Sequence, residues 1–518
     1  MYCNLQVTFD SSPNNARSEC ALAANPLNPY NLVGASKRFT NPATYEFSLS
    51  AYATQDGGHA WIEAPPLTLP AGAAGTSDPT VAWDNAGHAY LVALPFGPGI
   101  NTPVLGIAVY MSSDGGNNWG PPSLIHASSG DDKQWASGDR HPSSPHYGNV
   151  YIAWDNGSQL GFARSTDHGT TWKGVGNQPV GTALAFDSFA PVVEVAPDGT
   201  VYVVWVNGEE TGTIVKFVKS TDGGQSFSVP QVVASGISPL RSPPLAKPGS
   251  FPELPGGKFR VLTLVDITTG TGGNLLVAWA DYREGVSRIY CRHSGNGGAN
   301  WQGSASGQPL LPPYLSSAAD QHDFHPQLAS MPSGEIACAF YQFGPKGGTS
   351  SKIDVLMAFS YDGGASFARR DKVTDRPWDP MSDAPLSHGD PSTTFIGEYF
   401  GLAGSSLGFC PLWTDTRTGI QELFSAQLMK TGPWDGVQFR GTIPGGQTYR
   451  WFTFNWPACW HVAWMVVPTS PRVGAAQIRW RVQVERASQN YITYWISISN
   501  LTLEPVDIEA RYSVLAAD

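Results

Sequence analysis

Apolar residues in this chain come in short runs, broken by glycine, proline, asparagine and aspartate. "LGIAVYMS" (105–112), "VYVVW" (201–205) and "TIVKFVKS" (213–220) are examples. They are rich in Val, Ile, Tyr and Phe, so they read as β-strands rather than helices. The runs recur as units. Each unit has an inner strand, a turn, an apolar strand that often ends in Trp, a third strand, a glycine-rich turn and a short extended piece. The inner part appears seven times: "CALAANPLNPYNLVGAS", "PTVAWDNAGHAYLVAL", "WASGDRHPSSPHYGNVYIAW", "APVVEVAPDGTVYVVW", "RVLTLVDITTGTGGNLLVAW", "PQLASMPSGEIACAF" and "EYFGLAGSSLGFCPLW".

Six units carry the glycine-rich turn as an octet: "TQDGGHAW" (54–61), "SSDGGNNW" (112–119), "STDHGTTW" (165–172), "STDGGQSF" (220–227), "SGNGGANW" (294–301) and "SYDGGASF" (360–367). The central residues Asp56, Asp114, Asp167, Asp222, Asn296 and Asp362 recur 53 to 74 residues apart, a spacing that signals a repeated supersecondary unit. The acid can bond the amides of its own turn, the glycines accept positive φ, and the closing Trp or Phe is an apolar plug between layers. The octet is therefore a self-bonded hairpin turn with an anchor.

These octets resemble the Asp box, S-x-D-x-G-x-x-W, of the sialidase-like β-propeller superfamily, over about residues 1–430. Asn296 in place of Asp, and Thr54 in place of Ser, depart from the motif. The resemblance implies an all-β propeller. The seventh unit lacks its own fourth strand after "TDTRTGIQELFSAQL". The extended N-terminal "LQVTF" (5–9) can supply it and close the ring. Seven blades are therefore expected, with six as the alternative. Sialidases of this family have six blades, and its seven-bladed members include lectins and assembly factors.

Past Pro433 the octets stop. "YRWFTFNW", "WHVAWMVVP", "QIRWRVQVER", "YITYWISISNLTL" and "VDIEARYSVL" alternate instead, and six tryptophans fall among them. Residues 437–518 read as an antiparallel β-sandwich after a propeller over 1–432. Its tryptophans serve as core, as a carbohydrate-stacking row, or as an oligomer interface.

Composition agrees with an all-β chain of 518 residues: Gly 57, Pro 42, aromatics 12%, charged residues only 14%. The net charge of −11 and the lack of a basic run argue against nucleic acid and anionic membranes. No run is apolar and long enough to span a membrane, and the N-terminus has no signal-like segment. A secreted or surface location, its signal outside the given chain, is expected, with the cytoplasm as alternative. The six cysteines lack metal-ligand spacing, although Cys3 and Cys20 could pair in an oxidising compartment. No cofactor or resident metal is expected, with room left for a structural cation.

If the octets join strands three and four, the loops joining strands two and three and the links between units share the opposite face, around a central funnel. That face collects Asp155, Asp281, Arg283, Glu284, Asp415 and Arg417 from the loops. The links add Asp78, Asp131, Asp132, Lys133, Asp187, Asp320, His322, Asp323, His325, His388, Asp390, Glu398 and Tyr399. Asp155, Asp281, Asp415, His322, His325 and Asp390 are the candidate ligand-binding set. "WADYR" and "WTDTR" read first as loop-fixing ion pairs. The sialidase resemblance implies an arginine clamp drawn from Arg38, Arg140, Arg283 and Arg417, a Glu398–Tyr399 nucleophile pair, and Asp132 or Asp323 for proton transfer. The chain lacks the family's Arg-Ile-Pro motif at Arg38, and adjacent strand residues such as Glu398 and Tyr399 point to opposite faces. The leading expectation is a glycan-recognising propeller. The alternatives are a sialidase-type exo-acting glycoside hydrolase and a protein-binding scaffold that assembles through the C-terminal domain.

Overall fold

The computed structural model describes residues 4–9, 15–41, 44, 46–99, 102–207, 213–247, 250–345, 351–382, 386–387, 390–426, 434–454, 456–457, 460–470, 474–487 and 491–517. Among them there is no α-helix, and regular structure is almost entirely antiparallel strand. The chain divides into two compact units, Tyr2–Met429 and Lys430–Asp518.

Among the described residues, the first unit contains seven four-stranded antiparallel sheets. Six are consecutive in sequence. Sheet 1, for example, runs Arg17–Ala24, Leu32–Asn41, Glu46–Thr54 and Ile62–Glu63. The first strands of sheets 2 to 6 are Gly75–Trp83, Asp131–Gly138, Phe189–Val195, Val265–Thr269 and His322–Ser330. Sheet 7 is composite: Gly401–Ser405, Gly408–Asp415 and Glu422–Ala426 are joined by Asn4–Gln6 from the N-terminus, with Leu5 opposite Ser425. The N-terminal segment thus occupies the outer-strand place expected for it. The first strands of successive sheets pack side by side, and Gly401–Ser405 of sheet 7 packs on the first strands of both sheet 6 and sheet 1. One contact shows how close this is: a Cβ on Gly138 of sheet 3 would meet the Trp83 carbonyl oxygen of sheet 2 at 1.8 Å.

Each octet joins the third and fourth strands of sheets 1 to 6. The hydroxyl of its first residue donates to the central Asp or Asn Oδ1 at 2.7–3.0 Å. The amide of the fifth residue, always Gly, donates to that hydroxyl at 2.8–3.1 Å. The amide of the seventh donates to Oδ1 at 2.9–3.0 Å. The closing aromatic then packs back on the preceding sheet: Trp172 against Tyr90, Phe227 against Phe162 and Trp301 against Phe217, at 5.0–6.4 Å. Burial alone would raise the Asp222 carboxyl, but the Ser226 hydroxyl and amide hold it down at about 2. Asp222→Ala removes four acceptor contacts at once, from the Ser220 and Ser226 hydroxyls and the Gln225 and Ser226 amides. It should destabilise by about 1–3 kcal/mol, read as a lower urea midpoint at unchanged slope.

Four of the six cysteines lie in described sheets, and all four are free, buried thiols. Cys20 donates to the Leu412 carbonyl at 3.0 Å and so is not paired with Cys3, which lies outside the described residues.

The second unit has two antiparallel sheets. Trp434–Ile443, Val506–Ala517 and Trp460–Pro468 form one; Thr448–Phe452, Trp456–Pro457, Tyr491–Asn500 and Ile478–Arg486 form the other. Ile443, Val466, Ile508 and Ala510 from the first share a core with Ile496 and Ile498 from the second. Trp456, Trp464, Tyr494 and Tyr512 form a contiguous aromatic cluster. These tryptophans are packed against one another rather than set in an open row.

Candidate functional site

The inner strands share a second repeat that the sequence reading did not single out. In sheets 1, 2, 3, 4 and 6 the register slips by the same bulge near the strand start, after Ser18, Ser77, Asp132, Phe189 and Phe324. The first bulged residue is Glu19, Asp78, Lys133, Ala190 or His325, and each has φ between +45° and +54°. Left-handed backbone at a non-glycine residue is strained, and such strain concentrates at functional sites. Bulges also re-aim side chains. Here they place Glu19, Asp78 and Lys133 on the wall of one cavity of about 860 Å³.

Glu398, Asp131, Asp132, Lys37, Arg241 and Arg260 complete the charged lining, with Phe47, Phe96, Phe189, Phe251 and Phe395 between them. Every cation lies over a ring. Lys37 Nζ is 4.1 Å from the Phe47 centroid and Lys133 Nζ is 3.7 Å from Tyr399. The Arg241 guanidinium is 4.0 Å from Phe189 and that of Arg260 is 4.8 Å from Phe395. The rings hold the cations in place without neutralising them. Arg260 Nε also pairs with Glu398 Oε1 at 2.7 Å.

Electrostatically the cavity is crowded with acids. Glu19 is 2% exposed. Its Oε2 has no hydrogen-bond partner among the described residues, and Lys37 Nζ stands 4.0 Å away. Burial, then the charge of Asp78, pushes Glu19 up to about 8 against the pull of Lys37. Asp132 opens to the lumen, yet the surrounding wall and the charges of Asp78, Asp155 and Glu398 push it up to about 7. Burial lowers Lys133 against the opposing pull of Asp78, Glu19 and Glu398. His325 is buried, and neither ring nitrogen has a partner among the described residues; burial and the cations Arg260 and Lys133 drive it down to about 3.

The other expected site residues fall elsewhere. Arg283 is held by Asp281 at 2.5 and 2.9 Å and stacked on Tyr290, and Trp279 donates to the same carboxylate. Arg417 is gripped by Asp415 at 2.7 Å and by Asp375, with Trp413 donating to Asp415. Both WxDxR motifs thus tie down loops, and neither arginine lines the cavity. Arg38 bonds Asn15, and Arg140 bonds Glu194 deeper between the inner strands. None of the four arginines from which a clamp was expected lines the cavity.

Asp323 is buried under Ser317 and Gln342, which donate to it; burial raises it to about 6. Asp155 accepts from the Ser188 hydroxyl and the Ala190 amide, holding the link into sheet 4. His322 accepts the Ser287 amide and stacks on Tyr282. Tyr399 points away from the lumen, donating to the Pro79 carbonyl at 3.2 Å beneath Lys133. Burial raises its hydroxyl well above the ordinary value, the reverse of what a nucleophile needs. Glu398 and Tyr399 precede the strand Gly401–Ser405 rather than alternating within one, and only Glu398 lines the cavity. The backbone of Asp390 pairs in Asp390–Thr394; its side chain, and His388, lie outside the described residues.

Of the candidate catalytic and ligand-binding residues, the cavity lining contains Asp132 and Glu398. Glu19, Lys37, Arg241 and Arg260 were missed. A signal for Glu19 was present: aligning "SECA", "SDPT", "DKQW", "FAPV" and "FHPQ" puts Glu19, Asp78, Lys133, Ala190 and His325 in one column. Among the described residues, ligand atoms converge closely enough for a metal at Asp84, His88 and His168, outside the cavity lining.

No family model matches the chain, and no curated protein matches it by sequence. Solved structures do resemble it. A protein of unknown function from Dyadobacter fermentans matches at 13% identity and TM-score 0.41, covering 68% of this chain and 97% of its own. A leech intramolecular trans-sialidase matches at 12% and 0.40, covering 68% and 70%. An α-L-arabinofuranosidase from Fusarium graminearum matches at 12% and 0.30, covering 54% and 89%.

Proposed function

We propose that the protein is a glycan-recognising, seven-bladed β-propeller with an accessory C-terminal β-sandwich, and that the cavity of about 860 Å³ receives the end of a glycan. The seven sheets are its blades, and the strand Asn4–Gln6 closes the last. The observation that carries the reading is the composition of the lining. Carboxylates and fixed cations alternate with phenylalanine faces, which suits hydrogen bonding of hydroxyls and stacking of sugar rings. A secreted or surface location belongs to the same proposal.

A second reading, exo-acting glycoside hydrolysis, is favoured by Glu19 and Asp132. Two acids pushed up to about 8 and about 7 beside Asp78 and Glu398 supply a proton donor and an acceptor in one cavity at neutral pH.

A glycan array probed with the full chain, with Asp78→Asn and Arg260→Ala alongside, tests the first reading. Binding should weaken by about tenfold or more in both variants, each substitution removing a charge-assisted bond. Release of chromophore from aryl glycosides, falling about a hundredfold or more in Glu19→Gln, would move the protein to the hydrolase reading. No glycan bound and no glycoside cleaved, with stable oligomers in light scattering, would leave the scaffold and overturn both.

A further inference from the structure

The octet of sheet 3 breaks its own rule. In the other five, the residue after the central Asp or Asn is glycine, with φ between +65° and +78° at Gly57, Gly115, Gly223, Gly297 and Gly363. In sheet 3 it is His168, still left-handed at φ +56°. A β-carbon there is strained where glycine is not. The imidazole must therefore be doing something the turn itself does not need.

Its Nδ1 lies 2.8 Å from Asp84 Oδ2. Asp84 opens the turn "DNAGH" between the first two strands of sheet 2 and is 0% exposed. Oδ1 accepts the amides of Ala86 and His88 at 2.9 Å, which fixes the carboxylate. Oδ2 is also met by His88 Nδ1 at 2.9 Å and the Tyr90 hydroxyl at 2.8 Å. Two imidazole nitrogens and one carboxylate oxygen thus converge, all within 4.8 Å of one another. The two histidine side chains are 26% and 49% exposed, so the open side of the triangle faces solvent.

We propose that Asp84, His88 and His168 bind a divalent transition-metal ion of the Zn²⁺ class, with water in the fourth position. Two histidines and a carboxylate are a borderline donor set that suits Zn²⁺ rather than Ca²⁺ or Mg²⁺. Metal bonds of about 2.0–2.2 Å place tetrahedral ligand atoms about 3.3 Å apart. The present N···O distances of 2.8–2.9 Å need to open by about half an ångström and the two nitrogens, now within 4.8 Å of each other, to settle at a similar separation, through rotation of one half-buried and one exposed ring. The Tyr90 hydroxyl stays on the liganding carboxylate and orients it. The ion takes the place of the Nδ1 protons shared with Oδ2: each ring keeps one proton, on Nε2, and any proton beyond that is released to water. It links the first turn of sheet 2 to the octet of sheet 3, a staple between neighbouring sheets. It is independent of the glycan cavity.

The test uses the full chain, stripped with EDTA and titrated with Zn²⁺ alone by calorimetry, and with Co²⁺ alone for its tetrahedral absorption band. Wild type should take up one equivalent that His168→Gly lacks or binds at least about tenfold more weakly. Because His168→Gly restores the glycine of the other octets, it should fold at least as well as wild type without metal. Zn²⁺ should raise the melting temperature of wild type and leave His168→Gly unmoved. Asp84→Asn is the second variant and should also lose the equivalent. No uptake by wild type would overturn the proposal. Equal uptake by wild type and His168→Gly would place the ion elsewhere and overturn it too.

Discussion

Glu19→Gln should be more stable than wild type at pH 9 by a few kcal/mol and nearly equal to it at pH 4.5. The folded-state carboxyl is pushed from 4.5 to about 8 by burial and by Asp78. A carboxyl raised in this way is comfortable in the folded protein only while it holds its proton. Its contribution is fully present below about 4.5, declines as pH rises, and is lost through about 8, where the folded state must accept a charge it disfavours. A displacement of that size corresponds to a few kcal/mol. Glutamine fills the same space and does not titrate, so it removes the slope. Asp132 and Asp266, both raised to about 7 by burial, act in the same direction. His141 and His322, lowered to about 4, and His325, lowered to about 3, oppose them below about 6.5. The informative quantity is therefore the variant-minus-wild-type difference in urea unfolding at pH 4.5, 7 and 9. A flat difference would show that Glu19 holds its proton no more tightly in the folded protein than in the unfolded chain.

Trp154→Ala should cost about 3–5 kcal/mol, the range for emptying a large buried aromatic site. Trp154 is completely buried at the junction of sheets 2 and 3, among Val92, Ile107, Ile152 and Ala163. Its backing is rigid: a Cβ on Gly161 would sit 2.6 Å from the indole, so the strand beneath is already in contact and cannot close the hole cheaply. The indole Nε1 also donates to Asp131 Oδ1 at 2.9 Å, at the rim of the cavity. Trp154→Phe keeps most of the volume and loses that bond. It should recover more than half of the stability while leaving the carboxylate short of a donor. Urea midpoints of the two variants at unchanged slope check both expectations. A loss below about 1 kcal/mol for alanine would mean that the sheets do not share this core.

The strand repeats and the octets were legible because each follows from local spacing, and the composite seventh sheet because the last unit lacks a fourth strand that the extended N-terminal segment can supply. The β-branched and aromatic run at Val201–Val206, glycine at positive φ and a hydroxyl two residues before an acid are decided within a few residues, and no distant partner can change them. The "WADYR" and "WTDTR" motifs also behaved as their short spacing implied, each arginine closing on its own aspartate. What the sequence by itself could not decide was which charges meet. Glu19 and Glu398 lie 379 residues apart in sequence and share one cavity. Whether a side chain on an inner strand faces the lumen depends on a one-residue bulge that reverses the strand's alternation, as at Asp132 and Lys133. Burial then sets whether such a group holds its proton, and burial belongs to the assembled sheets. So the chain's local chemistry determined its elements and turns, while the register of the bulges and the packing of sheet on sheet decided the site.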